Sequence, residues 1–99
     1  MVRHIVAWNF KDGLTETENK ANAQEIKSEV EALTRLIPGI IALNVRIDIL
    51  PSGNRDIVLN SLFENEAALI AYQSHPEHKK VAAFIGAVTQ DRVCVDYEE

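Results

Sequence analysis

The stretch that decides the fold is "IIALNVRIDIL", residues 40–50, in which apolar and polar side chains alternate. Branched apolar residues occupy every second position from 41 to 49, and alanine, asparagine, arginine and aspartate stand between them. Successive side chains of a strand point to opposite faces, so this period predicts an edge strand that is buried on one face. Turn residues follow in "PSGNRD", residues 51–56, and the apolar run 57–64 then predicts the second strand of a hairpin.

Outward from this hairpin, the pattern predicts two further strands and two helical regions. Residues 1–10, "MVRHIVAWNF", carry apolar side chains on both faces, which favours a central strand. Thr15 and Glu18 fit a capping box, and a stripe of apolar residues at helical spacing extends the predicted helix to Ile37, before Pro38-Gly39. Asn65 can cap a short helix over 66–73, a second helical piece runs from 76 to 88, and 92–97 forms the last strand.

The order of elements, β-α-β-β-α-β, indicates an α+β ferredoxin-like fold with a four-stranded antiparallel sheet in a single domain, residues 1–99. Two helical regions cover one face of such a sheet. The first and third strands nevertheless carry apolar side chains on both faces. The same face of a second copy is the simplest cover, which predicts a homodimer formed by sheet-to-sheet pairing.

Composition excludes several classes of partner. The formal charge is −5, and no basic block exceeds the pair Lys79-Lys80, so neither nucleic acid nor an anionic membrane is expected as a partner. No apolar run approaches the roughly 20 residues of a membrane-spanning helix. Cys94 is the only cysteine and we expect it to be a buried structural thiol, which fits a reducing compartment and a cytoplasmic location.

The segment "YQSHPEHKK", residues 72–80, holds two of the three histidines and admits three interpretations. In the first, Ser74 and Glu77 form a capping box with Pro76 in the first turn, and the histidines are structural. In the second, His75 and His78 bind a metal with a third ligand, but no recognised zinc motif supports this, and we predict no metal. In the third, His78 is a catalytic base near neutral pH.

Four pieces of sequence, "RHIVAWNFKDG", "IPGI", "FENEAALIAYQSHPEHKKV" and "DRVCVDY", resemble the stress-responsive dimeric α/β-barrel (Dabb) family over nearly the whole chain. The resemblance implies a ferredoxin-like fold in which the sheets of two chains pair into one dimeric α/β barrel. Characterised members include a plant polyketide cyclase, which closes a ring by aldol condensation, and plant stress proteins that form very stable oligomers.

The same resemblance implies a site. It gives catalytic roles to His78 and Tyr72, with His4 and Asp96 as supporting residues and no cofactor. The tyrosine hydroxyl can donate a hydrogen bond to a developing enolate oxygen, and Asp96 can orient an imidazole by accepting its N–H. We expect the pocket to be completed by Trp8 and Val6.

Three functions from different classes follow as hypotheses. The chain either binds a small organic molecule, with aldol, cyclase or lyase chemistry, or it is a noncatalytic dimeric stress or scaffold protein. The third hypothesis is a dimeric-barrel monooxygenase that acts on haem or a quinol, and it rests on the fold alone. A cavity lined by His4, Trp8, Tyr72, His78 and Asp96 favours the first hypothesis, whereas side chains that fill that space favour the second.

Overall fold

A computed structural model describes residues 1–99 and has the predicted order of elements. The bounds are β1 (Val2–Phe10), α1 (Glu16–Ala32), β2 (Ile40–Arg46), β3 (Ile57–Phe63), α2 (Glu66–Ser74), α3 (Pro76–Val88) and β4 (Thr89–Glu98). A 3-10 turn, Leu33–Arg35, follows α1 directly. The predicted ferredoxin-like fold with a four-stranded antiparallel sheet is therefore confirmed.

The sheet has the strand order β2-β3-β1-β4, so β1 is central and β2 lies at an edge, as the hydrophobic patterns predict. His4, Val6 and Trp8 of β1 point to the helix side and are buried. Opposite them on β4, Asp96 pairs with His4 and Cys94 pairs with Val6 in the strand register. The side chains of His4 and Val6 on the central strand and of Asp96 and Cys94 on the last strand therefore lie on the same side of the sheet.

The predicted N-terminal caps are present. The Thr15 hydroxyl accepts a hydrogen bond from the Glu18 amide, and the Glu18 carboxylate accepts one from the Thr15 amide. Asn65 caps α2 by accepting from the amide of Ala68. The helix α1 ends five residues before the predicted Ile37, because the chain tightens into a 3-10 turn there. Ile37 is buried all the same.

The strand β2 also ends earlier than predicted, at Arg46 rather than at residue 50. The last β2–β3 pair joins Arg46 to Val58, and the chain before β3 bonds to β1 instead. There the Asp56 amide donates to the carbonyl of Trp8, and the Asp56 carboxylate accepts from the amide of Phe10. Residues 47–50 therefore have no neighbouring strand, although their sequence alternates like one.

One edge of the sheet, at β2, is partly covered by α1, and the other edge, at β4, is uncovered. At the β2 edge, Lys27 of α1 donates to the carbonyl of Val45 at 2.8 Å, and Glu31 accepts from the Val45 amide at 3.0 Å. At the other edge, every residue of β4 beyond Gln90 is exposed. The expectation of a buried Cys94 is wrong for this single chain, because Cys94 lies on this uncovered edge strand.

The sheet face that points away from the helices is apolar and uncovered. On β4, Val93, Val95 and Tyr97 are 43%, 57% and 46% exposed. They pair in register with Ala7, Ile5 and Arg3 of β1, so the apolar surface continues onto β1 at Ala7 and Ile5 and ends at Arg3, which pairs with Glu99. No helix of the fold combines the length and the apolar character needed to cross a membrane.

Candidate functional site

A cavity of about 390 Å³ lies between the helix side of the sheet and the helices. Five of the six predicted site residues line it: His4, Val6, Trp8, Tyr72 and His78. Asp96 does not line this cavity and instead contacts His4 from the β4 side. The volume is in the lower part of the roughly 300–1,000 Å³ range of ligand pockets.

A break between α2 and α3 brings Tyr72 and His78 together. An α-helix turns about 100° per residue, so residues six apart in one continuous helix lie about 120° apart around its axis. Here the helix is interrupted at His75, whose backbone is extended with φ −67° and ψ 136°. The rings of Tyr72 and His78 consequently contact each other, with centroids 4.3 Å apart and ring planes inclined at 52°.

His75, and not Ser74, caps the start of α3. The amide of Glu77 donates to the Nδ1 of His75 at 3.1 Å. The predicted capping box with Ser74 at the N-cap is wrong, because Ser74 is still in α2 and its hydroxyl bonds back to the carbonyls of Ile70 and Ala71. The imidazole of His75 therefore serves the helix terminus and not the cavity.

The hydrogen bond of His78 fixes its tautomer. The Nδ1 of His78 is 3.2 Å from the carbonyl oxygen of Gln73, and a carbonyl can only accept. The proton of the neutral ring is therefore on Nδ1, and Nε2 carries the free lone pair. Burial lowers the pKa of His78, against an opposing effect of the Gln73 bond. The ring is thus a neutral base at pH 7.

Tyr72 has the complementary protonation state, that of a proton donor. It is only 2% exposed, and burial raises the pKa of its hydroxyl to about 12, so the group stays protonated at neutral pH. The hydroxyl forms no hydrogen bond with another residue. It is still accessible, because Asn19 Oδ1 is the only fully enclosed side-chain polar atom without a partner. Its O–H is therefore free to donate to a ligand in the cavity.

Asp96 orients His4 and does not contact His78. The Asp96 carboxylate bonds to the Nδ1 of His4, while the main chain of His4 is held by the buried hydroxyl of Ser61 at 2.6 Å. The His4 ring meets the edge of Tyr72 with centroids 6.4 Å apart. The His4–Asp96 pair therefore packs behind Tyr72 and supports that wall of the cavity.

One group of side chains has the composition of a metal site. The Nδ1 of His4, the Sγ of Cys94 and a carboxylate oxygen of Asp96 lie within 4.8 Å of one another. Hydrogen bonds already account for this cluster, since Cys94 Sγ is 3.5 Å from Asp96 Oδ1 and 3.8 Å from His4 Nδ1. Nitrogen, sulfur and oxygen ligands of this kind would suit zinc in preference to calcium or magnesium.

Sequence reasoning missed the remaining walls of the cavity. These are contributed chiefly by α3 and the start of β4, as Val81, Ala82, Ile85, Gly86, Gln90, Asp91 and Arg92. A signal was present for the α3 set, because positions three, four, seven and eight after His78 share its helix face. A second signal was the strand period, which puts Arg92 on the same face of β4 as Cys94 and Asp96.

Comparison with known proteins settles the family. A family model for the stress responsive A/B barrel domain, Dabb, matches residues 2–99. The chain belongs to the Dabb family. No curated protein sequence matches this Dabb chain.

Solved structures share the fold of this Dabb chain. A dimeric protein of unknown function from Bacteroides fragilis is 31% identical with a TM-score of 0.92, over 99% of this chain and 95% of that one. A hydroxynitrile lyase from Passiflora edulis is 19% identical with a TM-score of 0.79, over 97% and 90%. An antibiotic biosynthesis monooxygenase is 18% identical with a TM-score of 0.77, over 100% and 98%.

Proposed function

We propose that this Dabb chain binds a small organic carbonyl compound in the cavity and catalyses cofactor-free proton transfer on it, of the aldol, cyclase or lyase type. One observation carries the proposal: the rings of His78 and Tyr72 lie side by side on one cavity wall. Burial lowers the pKa of His78 and raises the pKa of Tyr72 to about 12, which favours a neutral imidazole and a protonated phenol. General acid–base chemistry needs these two protonation states at neutral pH.

In the proposed reaction, Nε2 of His78 removes a proton from the carbon next to the ligand carbonyl. The electron pair of that C–H bond moves into the enolate, whose oxygen accepts a hydrogen bond from the Tyr72 hydroxyl. The enolate then attacks a second carbonyl carbon, or its electron pair expels a leaving group. The proton held by His78 passes to the oxygen or the leaving group that receives the charge, which restores the neutral ring.

One further observation supports this proposal over a purely structural role. The space beside His78 is a cavity and is not filled by side chains, which the scaffold hypothesis would require. The hydroxynitrile lyase from Passiflora edulis has the same fold, although an identity of 19% supports the fold alone. No residue selects the monooxygenase hypothesis, and a haem titration followed by absorbance tests it directly.

A ligand screen by thermal shift tests the proposal. Carbonyl and phenolic compounds are screened against the wild type, His78→Ala, Tyr72→Phe and the matched control Lys79→Ala, whose side chain is exposed on the same helix. A hit is expected to stabilise the wild type and the control, because a ligand that binds the native state raises its stability. Hits are then followed for deuterium incorporation next to the carbonyl by NMR.

Deuterium exchange is expected to fall at least 100-fold in His78→Ala, since a positioned general base contributes about that factor or more. Exchange at the wild-type rate in this variant would refute the role of His78. No hit in the whole screen would favour the noncatalytic scaffold.

We also propose that the chain is a homodimer through its outer sheet face. The uncovered apolar residues of β4 and β1 support this, and the Bacteroides fragilis protein, 31% identical, is described as dimeric. Val95→Asp is expected to give a monomer in analytical ultracentrifugation, whereas Val95→Ala keeps the dimer. A Val95→Asp protein that sediments as the wild type does would refute this interface. The cytoplasmic location stays a prediction.

A further inference from the structure

A positively charged residue stands at the cavity without a partner of opposite charge. Arg92, which follows the start of β4, lines the cavity and forms no ion pair with any carboxylate. It is the only lysine or arginine among the lining residues. The strand period directs its side chain to the helix side of the sheet, the side on which His4 lies.

Asp91, the acidic neighbour of Arg92 in the sequence, is hydrogen-bonded to other residues. The Asp91 carboxylate accepts a hydrogen bond from the side-chain amide of Asn9 at 3.1 Å, and the Asp91 carbonyl accepts one from Arg55 at 3.0 Å. Asp91 also has a left-handed backbone, with φ 56°. These bonds hold the turn into β4, and the Asp91 carboxylate, which also lines the cavity, forms no ion pair with the guanidinium of Arg92.

The guanidinium and the proposed base belong to the same cavity, because Arg92 and His78 both line it. Burial of the ring lowers the pKa of His78, and the positive charge of Arg92 acts in the same direction. The other walls of the cavity are mostly apolar, including Val6, Trp8 and Ile85. A ligand that fills this cavity therefore meets an apolar wall, a base with its donor, and one positive charge.

We infer that Arg92 binds a carboxylate of the ligand, so that the substrate is a small apolar or aromatic oxo acid carrying one carboxylate besides its reacting carbonyl. This inference rests on the proposed function of the cavity. A guanidinium presents a planar pair of N–H donors that matches a carboxylate in a bidentate arrangement. With a single cation, and with the Asp91 carboxylate next in sequence, the site suits a monoanion better than a phosphate dianion.

The test compares matched probes by calorimetry at constant ionic strength. The probes are 4-oxo-4-phenylbutanoate, its primary amide, and phenyl phosphate as the dianion. The proteins are the wild type, Arg92→Gln, Arg92→Lys and the control Arg35→Gln, which removes the same charge from the exposed 3-10 turn. For the wild type and the control, we expect the acid to bind about 10-fold more tightly than the amide, with the phosphate weaker than the acid.

For Arg92→Gln, we expect the acid to bind no better than the amide, while affinity for the amide is unchanged. Arg92→Lys is expected to keep part of the preference, because it retains the charge and loses the bidentate geometry. Equal binding of acid and amide by the wild type would overturn the inference and leave the cavity proposal standing. The inference would also be overturned if Arg92→Gln kept the preference for the acid, or if the wild type bound the phosphate more tightly than the acid. Absence of binding by all three probes would overturn the inference together with the proposed function.

Discussion

Gly39, between the 3-10 turn and β2, offers the sharpest test of how the helices are seated on the sheet. Its φ is +87°, and a Cβ at this position would lie 2.7 Å from the Cβ of Ala68 in α2. For Gly39→Ala, the left-handed backbone costs about 1–2 kcal/mol. Relief of the steric overlap costs about 1–3 kcal/mol more. The less flexible unfolded chain returns about 0.4–1 kcal/mol. We expect a net loss of about 1–4.5 kcal/mol in the free energy of unfolding.

The matched control is Gly13→Ala. Gly13 has the same backbone conformation, with φ +90°, but no atom lies within 4 Å of the added Cβ. Its cost should therefore be confined to the backbone, about 1 kcal/mol. Urea unfolding at one fixed protein concentration measures both values, and Ala68→Gly in the Gly39→Ala background should restore about 1–3 kcal/mol relative to the additive expectation. Equal losses at Gly39 and Gly13, with no coupling to Ala68, would refute the reasoning.

Three further predictions concern buried or partly buried polar groups. Glu31→Ala is expected to cost about 1 kcal/mol in urea unfolding, because the Val45 amide loses a charged acceptor at an edge that is partly open to water. The pKa of His78 is below its usual 6.5 in the folded state, so the unfolded chain takes up the proton first as the pH falls. Stability measured by urea unfolding should be highest above pH 6.5 and decrease below it, and His78→Gln should remove part of that slope. Ser61→Ala is expected to lower the free energy of unfolding by about 1 kcal/mol through loss of the buried bond to the His4 carbonyl, and an unchanged urea midpoint would contradict it.

Local chemistry predicted most of the fold. The period of two in residues 40–46 identified the edge strand, and the side chains of Thr15 and Asn65 marked helix starts that the structure confirms. These signals succeed because the cap and the alternation act within a few residues, so no distant partner is needed to express them.

The errors arise where a distant contact outweighs the local pattern. Residues 47–50 alternate like a strand but lack a partner, since Asp56 bonds to β1. Ser74 fits an N-cap by sequence, but α2 continues through it and His75 takes that role. Similarly, the aspartate on the last strand was expected to orient an imidazole, and only the cross-strand register of β1 and β4 decides that it is the imidazole of His4.

The bonds from Lys27 and Glu31 to the main chain of Val45 have a consequence for solubility under heat or at high concentration. An edge strand with free amides and carbonyls is a template on which other chains can add in register, the first step toward fibrils. Here one helix occupies that template at Val45 with a lysine and a glutamate that also pair with each other, and an incoming strand would have to displace both. Strand addition at Val45 would have to break both bonds, which disfavours ordered aggregation at the edge that carries the chain's most strictly alternating segment.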